Sequence, residues 1–190
     1  MVLTAMILVR SAARPAQTGD GAGDASEQGR IWVTLEIEHR LNEYLPGWER
    51  RKDPSVASSE DLLWYYFSGD VRIGLDDAVI SSSVGSVPAL HFAGSTLEAC
   101  RRLVAGQAYE YAFTEVDEVI FFERSDDGSV TISSTLDSVL IAVGYGAFVD
   151  SVKAFVLSEV AMLTHRHPGL GAHVIVQKLL HEVQSINELG

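Results

Sequence analysis

Three groups of residues in this 190-residue chain have types and spacings that bear on chemistry. The first is histidine: His165, His167, His173 and His181 fall within seventeen residues. Zinc ligation needs three or four nitrogens or sulfurs that converge. His165 and His167 stand two apart near an expected helix end, so their side chains diverge there. His173 and His181 share about one face of the last expected helix, two turns apart. Helix capping and surface roles fit these histidines better than a metal.

The second group is acidic. The stretch "EVDEVIFFERSDDGSVTISS", residues 115–134, holds six acids. From Glu110 to Asp137 eight acids stand against one base, Arg124, a net −7 out of −12 for the chain. Glu115, Asp117 and Glu118 enter an expected strand; Asp126 and Asp127 leave it. Six strand residues span about 20 Å, so the two clusters share no ion. Asp126-Asp127-Gly128 lacks the other ligands of a calcium loop. No metal and no cofactor is expected, and the acids read as a hairpin rim or a docking surface for a basic partner.

The third group would be nucleophiles and their bases. No G-x-S-x-G elbow, P-loop or G-x-G-x-x-G occurs. Cys100, the single cysteine, lies on the apolar stripe of a helix, where a thiol is usually inert. Glu36 and Glu38 share a strand face, but a solvent-facing side explains them better than an acid/base pair. No catalytic residue is expected. The aromatic row Tyr109, Tyr111 and Phe113, with Trp64 to Phe67, is core by default, and its tyrosine hydroxyls make it the best place for a contact surface.

These residues need elements to hold them. "IWVTLEIEHRL" alternates, with Ile31, Val33, Leu35 and Ile37 on one face, and predicts a strand. The segment 44–61 carries Pro, Gly and Ser and predicts a loop. "LLWYYFSGDVRIGL" predicts two short strands about Ser68-Gly69-Asp70. Leu90, Ala93, Leu97, Cys100 and Val104 recur at helical spacing, with Ser86 as the expected cap and Gly106 as the stop. The strand around residues 118–124 is apolar on both faces and reads as covered on both sides. Asp127-Gly128 turns it back into Val130 and Ile132. Two helices follow, with stripes Val149, Val152, Val156, Val160, Leu163 and Ala172, Ile175, Leu179, Val183; Pro168 is expected to open the second. The fold class is α+β: an antiparallel sheet with one mid-chain helix and two C-terminal helices packed on one face.

An apolar content of 47% and a charged fraction of 21% describe a globular chain. Residues 1–30, with a short apolar run and then small polar residues, read as a disordered arm ahead of one domain, 31–190. No Lys or Arg precedes the apolar run, which is too short to span a bilayer. A lone cysteine and the absence of a disulfide pair favour the cytoplasm. The negative charge disfavours nucleic acid and anionic lipid and favours cationic partners.

From about Asp70 to Leu180 the chain resembles uncharacterised actinobacterial single-domain proteins. It is more distantly similar to small acidic immunity proteins that neutralise bacterial toxins. "GDVRI", "VPALHFA" and "RHPGLGAHVIVQKLL" carry the resemblance, with "FTEVDEVIFFERSDDGSVTIS" foremost. It implies occlusion of a basic partner without catalysis. The expected contact residues are Glu115, Asp117, Glu118, Asp126 and Asp127, with Tyr109 and Tyr111 as anchors. A small-molecule-binding or enzymatic domain using an aromatic-lined pocket, and a structural homodimer, are the alternatives.

Overall fold

The computed structural model describes residues 34–42, 48–82, 86–114, 116–135 and 137–186. The expected arm, the first residues of the expected first strand, and Glu115 lie outside them.

β1 (Leu35–Leu41) keeps the alternation of its sequence, burying Leu35, Ile37 and His39. It pairs antiparallel with β2 (Ser68–Leu75), with Ile37 opposite Ile73 and Leu41 opposite Gly69. β2 turns at Asp76-Asp77 into β3 (Ala78–Ser81). The hairpin turn is therefore not at Ser68-Gly69-Asp70, which lies inside β2. Asp76 takes φ 52°, the left-handed value that a tight two-residue turn needs and that Asp tolerates better than most residues.

The aromatic run before β2 also departs from expectation. Ser59–Trp64 is a short helix, α1, whose N-cap Ser58 accepts the Asp61 amide at 3.0 Å. "SSED" is a serine cap followed by acids in the first turn, and that local bond outweighs the strand preference of the aromatics. Tyr66 and Phe67 are then buried in the link to β2.

β4 (Val87–Pro88) pairs with Ser68 and Gly69 and leads into α2 (Ala89–Val104). Because Pro88 is both the end of that strand and the N-cap, Ser86 makes no cap bond to this helix. α2 buries Leu90, Ala93, Leu97 and Cys100 as its periodicity predicts, and Phe92, Thr96, Ala99 and Leu103 as well. A helix hidden on so many sides is central to the fold. It stops at Gly106, φ 71°.

β5 (Tyr109–Ala112), β6 (Val119–Arg124), β7 (Ser129–Ser134) and β8 (Leu140–Gly144) form a second antiparallel sheet in sequence order. β3 of the first sheet lies against β8 of the second. α3 (Tyr145–Arg166) crosses from β7 and β8 to β1 and packs on α2. A 3-10 turn, Pro168–Ala172, precedes α4 (Val174–Ser185), which lies on α2 and α3. Pro168 opens that turn and not α4 itself, which His173 caps. The chain is an α+β fold of antiparallel sheets with C-terminal helices, and its buried apolar side chains, from both sheets and all four helices, join in one core.

Candidate functional site

Each sheet has one face against the helices and one turned away. The outward face of the first sheet carries its own neutralisation. Arg72 Nη1 reaches Glu36 Oε2 at 3.5 Å, and Arg40 Nη2 reaches Glu38 Oε2 at 3.0 Å. Gly74 lies under the Arg72 guanidinium, which comes within about 3.3 Å of a β-carbon placed there. Glu36 and Glu38 are thus partners of arginines on a wet sheet face.

The outward face of the second sheet is different. Its rows run Glu110, Phe121, Ser133, Leu140 and then Glu123, Thr131, Ala142, with Ala112 beside Val119. Among the described residues of these strands, two carboxylates, hydroxyls and apolar groups occupy it, and no basic side chain does. Arg124, the single base of the segment, sits opposite Val130 on the other face, its guanidinium 4.5 Å over the Tyr145 ring. Leu140 is 62% exposed and Phe121 half-buried. β6 lies between β5 and β7, but it is covered on one side only: Ile120 and Phe122 are buried, while Val119 and Phe121 remain partly open. The expectation of a strand covered on both faces is corrected, because both helices that meet this sheet lie on the side of Ile120 and Phe122.

The structure spreads the expected contact residues over different settings. Asp117, Asp126 and Asp127 are exposed. Asp127 Oδ1 accepts the Ser129 amide at 2.9 Å and hydroxyl at 2.7 Å, so it builds the β6–β7 turn, and these bonds hold its carboxyl below the usual range. Glu118 is only 8% exposed, with Oε2 hidden and unpartnered among the described residues. Desolvation, then the Asp137 charge, raises its pKa. Glu118 is therefore largely withdrawn from the surface.

Tyr111 is 4% exposed, edge-on to Phe92 at 5.1 Å and to Phe113 at 5.1 Å. Burial pushes its hydroxyl well above the ordinary range. It belongs to the core and is unsuited to a contact anchor; Tyr109, half-buried and 6.2 Å from Phe122, stays at the margin. Among the described residues Trp64 and Tyr65, not these tyrosines, are the exposed aromatics. His91 packs at a tilt against Trp64, ring centres 4.1 Å apart, and meets the Tyr111 hydroxyl at 3.5 Å, its pKa lowered by desolvation. These rings pack on one another.

Among the described residues no cluster of His, Cys, Asp or Glu can hold a metal ion. His167 packs on Phe67 at 5.4 Å. Cys100 is buried, its thiol pushed up to about 12 mainly by desolvation, so it is no nucleophile at neutral pH. No described helix is long and apolar enough to cross a membrane.

One constellation escaped the sequence reading. His39 on β1 and Glu159 on α3 meet in the core, Nδ1 to Oε2 3.7 Å. The signals were present: His39 continues the buried face of Leu35 and Ile37, and Glu159 sits beside Val156 and Val160 on the apolar stripe. Only the docking of α3 on β1 brings residues 120 positions apart together. Comparison with known protein families, curated proteins and solved structures returned no match to this chain.

Proposed function

We propose that this chain is a non-catalytic protein-binding domain that receives a basic protein partner on the outward face of its second sheet, as an immunity-type protein occludes a toxin. The observation that carries this reading is the contrast between the two open faces. Arginines already answer Glu36 and Glu38 on the first. On the second, Glu110 and Glu123 flank the apolar centre of Phe121 and Leu140, and among the described residues of these strands no base accompanies them. Asp117 and the Asp126-Asp127 turn extend the negative field beyond the two ends of β6. An uncompensated carboxylate rim around an apolar centre suits a cationic surface: the rim speeds the encounter and the centre holds the complex. The same charge opposes a second copy of this chain on that face, since like rims repel.

The test is capture from the native host with the wild-type chain and with Glu110→Lys/Asp117→Lys/Glu123→Lys. A basic protein held by wild type, lost from the triple variant and released by salt supports the reading. A captured partner that binds both forms alike places the contact elsewhere. A concentration-dependent dimer that the triple variant abolishes makes the face a self-interface and ends the hetero-partner reading.

A further inference from the structure

The buried pair His39 and Glu159 has a geometry that structural packing alone does not require. His39 Nε2 lies 2.8 Å from the Val87 carbonyl, which can only accept, so Nε2 carries the ring proton and Nδ1 is left as an acceptor. Nδ1 faces Glu159 Oε2 at 3.7 Å, and neither atom has another hydrogen-bond partner among the described residues. Both residues are more than nine-tenths hidden, His39 at 7% and Glu159 at 6% exposure. An ionised carboxylate facing a lone pair in an apolar core is doubly unfavourable. A carboxylic acid facing it is a donor opposite an acceptor.

We propose that Glu159 and His39 form a one-proton latch across the seam between β1 and α3. Glu159 is a carboxylic acid whose O–H is given to His39 Nδ1 by a small side-chain rotation, and loss of that proton loosens the seam. Three elements surround the pair. β2 brings the Asp70 charge toward His39, α3 brings Arg166 toward Glu159, and β4 offers the Val87 carbonyl. Gly69 on β2 closes the seat, since a β-carbon there would come within 2.8 Å of His39 Cε1.

Burial agrees with the geometry. Desolvation lifts Glu159 from 4.5 to about 8 against the pull of Arg166. It drops His39 from 6.5 to about 4, against the opposing effects of the Val87 bond and Asp70. The signs then give a shape. Between pH 4.5 and 6.5 unfolding releases the Glu159 proton and adds one to His39, so the pair leaves stability flat. Between 6.5 and 8 only the Glu159 release remains, and the folding equilibrium weakens about tenfold per pH unit.

The experiment is a carboxyl-carbon and imidazole-nitrogen NMR titration of the full chain, with hydrogen-exchange protection of the β1 amides read in parallel for wild type and Glu159→Gln. The latch predicts a Glu159 carboxyl that titrates far above ordinary glutamates. It predicts His39 as the Nε2–H tautomer through neutral pH. Protection in β1 falls about tenfold per unit above pH 6.5 in wild type and stays level in Glu159→Gln. A Glu159 carboxyl titrating in the ordinary range overturns the proposal, as does a β1 profile that Glu159→Gln leaves unchanged. If Glu159→Gln does not fold, the wild-type carboxyl titration decides alone.

Discussion

His173 Nε2 donates to the carbonyl of Ala57 across 3.1 Å, tying the start of α4 to the turn before α1. The same ring caps α4, because its Nδ1 accepts the Ile175 amide at 3.2 Å. An amide can only donate, which assigns the ring proton to Nε2. One imidazole thus fills two roles usually given to two residues. His173→Ala loses both and is expected to cost about 1–3 kcal/mol in urea unfolding. His173→Asp restores the cap but not the tether, and should recover about half of that loss.

Gly69 offers a harsher test. A β-carbon at this position would overlap the Arg40 carbonyl oxygen and crowd His39 Cε1. The obstruction on the Arg40 side is backbone, so no side-chain rotation relieves it. Gly69→Ala should cost more than about 3 kcal/mol, or displace β1 from β2 altogether. Circular dichroism with thermal melting would register either result, and a variant of wild-type stability would refute the close approach.

Among the described residues two that are not glycine take the left-handed backbone region, and they should respond oppositely to glycine. Asp76, at φ 52°, is exposed in the β2–β3 turn, so Asp76→Gly relieves strain and loses no packing. A gain of up to about 1 kcal/mol is expected. Phe67, at φ 56°, is buried, with its amide donating to Glu49 Oε2 at 3.2 Å and its carbonyl accepting from Ala89 at 3.1 Å. Removing its ring costs about 3–5 kcal/mol, more than the roughly 1–2 of strain released, so Phe67→Gly should destabilise by about 1–4 kcal/mol. Chemical denaturation of the two variants compares the signs directly.

Cys100 serves as a silent reporter. With its thiol buried and held up near 12, labelling by a disulfide reagent at pH 8 should be negligible for the native chain and complete in denaturant. Labelling that matches a free thiol under native conditions would mean that α2 opens far more readily than its burial implies.

The charge reversals on the second sheet should alter binding without altering the fold. Glu110 and Glu123 are exposed and Asp117 lies in an exposed loop, so each substitution is expected to shift stability by no more than about 0.5 kcal/mol. Matching melting curves for the triple variant and wild type check this before any loss of partner is interpreted.

Local pattern was a reliable guide wherever an element announces itself within a few residues. The alternation of β1, the helical stripes of α2 and α3, and the Asp127-Gly128 turn were all legible, because burial on one side imposes a period on the chain. The reading failed where a local bond overrode a propensity, as Ser58 did by capping α1 amid strand-favouring aromatics. It failed again at Gly69, where glycine signals a close approach inside a strand as readily as a turn.

By itself, then, the order of residues determined the α+β class, the main helices, the acidic hairpin and the burial of Cys100. Those follow from periodicity and composition, which act over short spans of chain. Which acids lie on an open sheet face was decided only when the helices covered one side of each sheet. That packing hid Glu118 and Tyr111, left Glu110 and Glu123 in the open, and set Arg72 against Glu36 on the other sheet. The meeting of His39 with Glu159 was decided the same way, since its cost and its chemistry exist only in a dry core that distant segments build together.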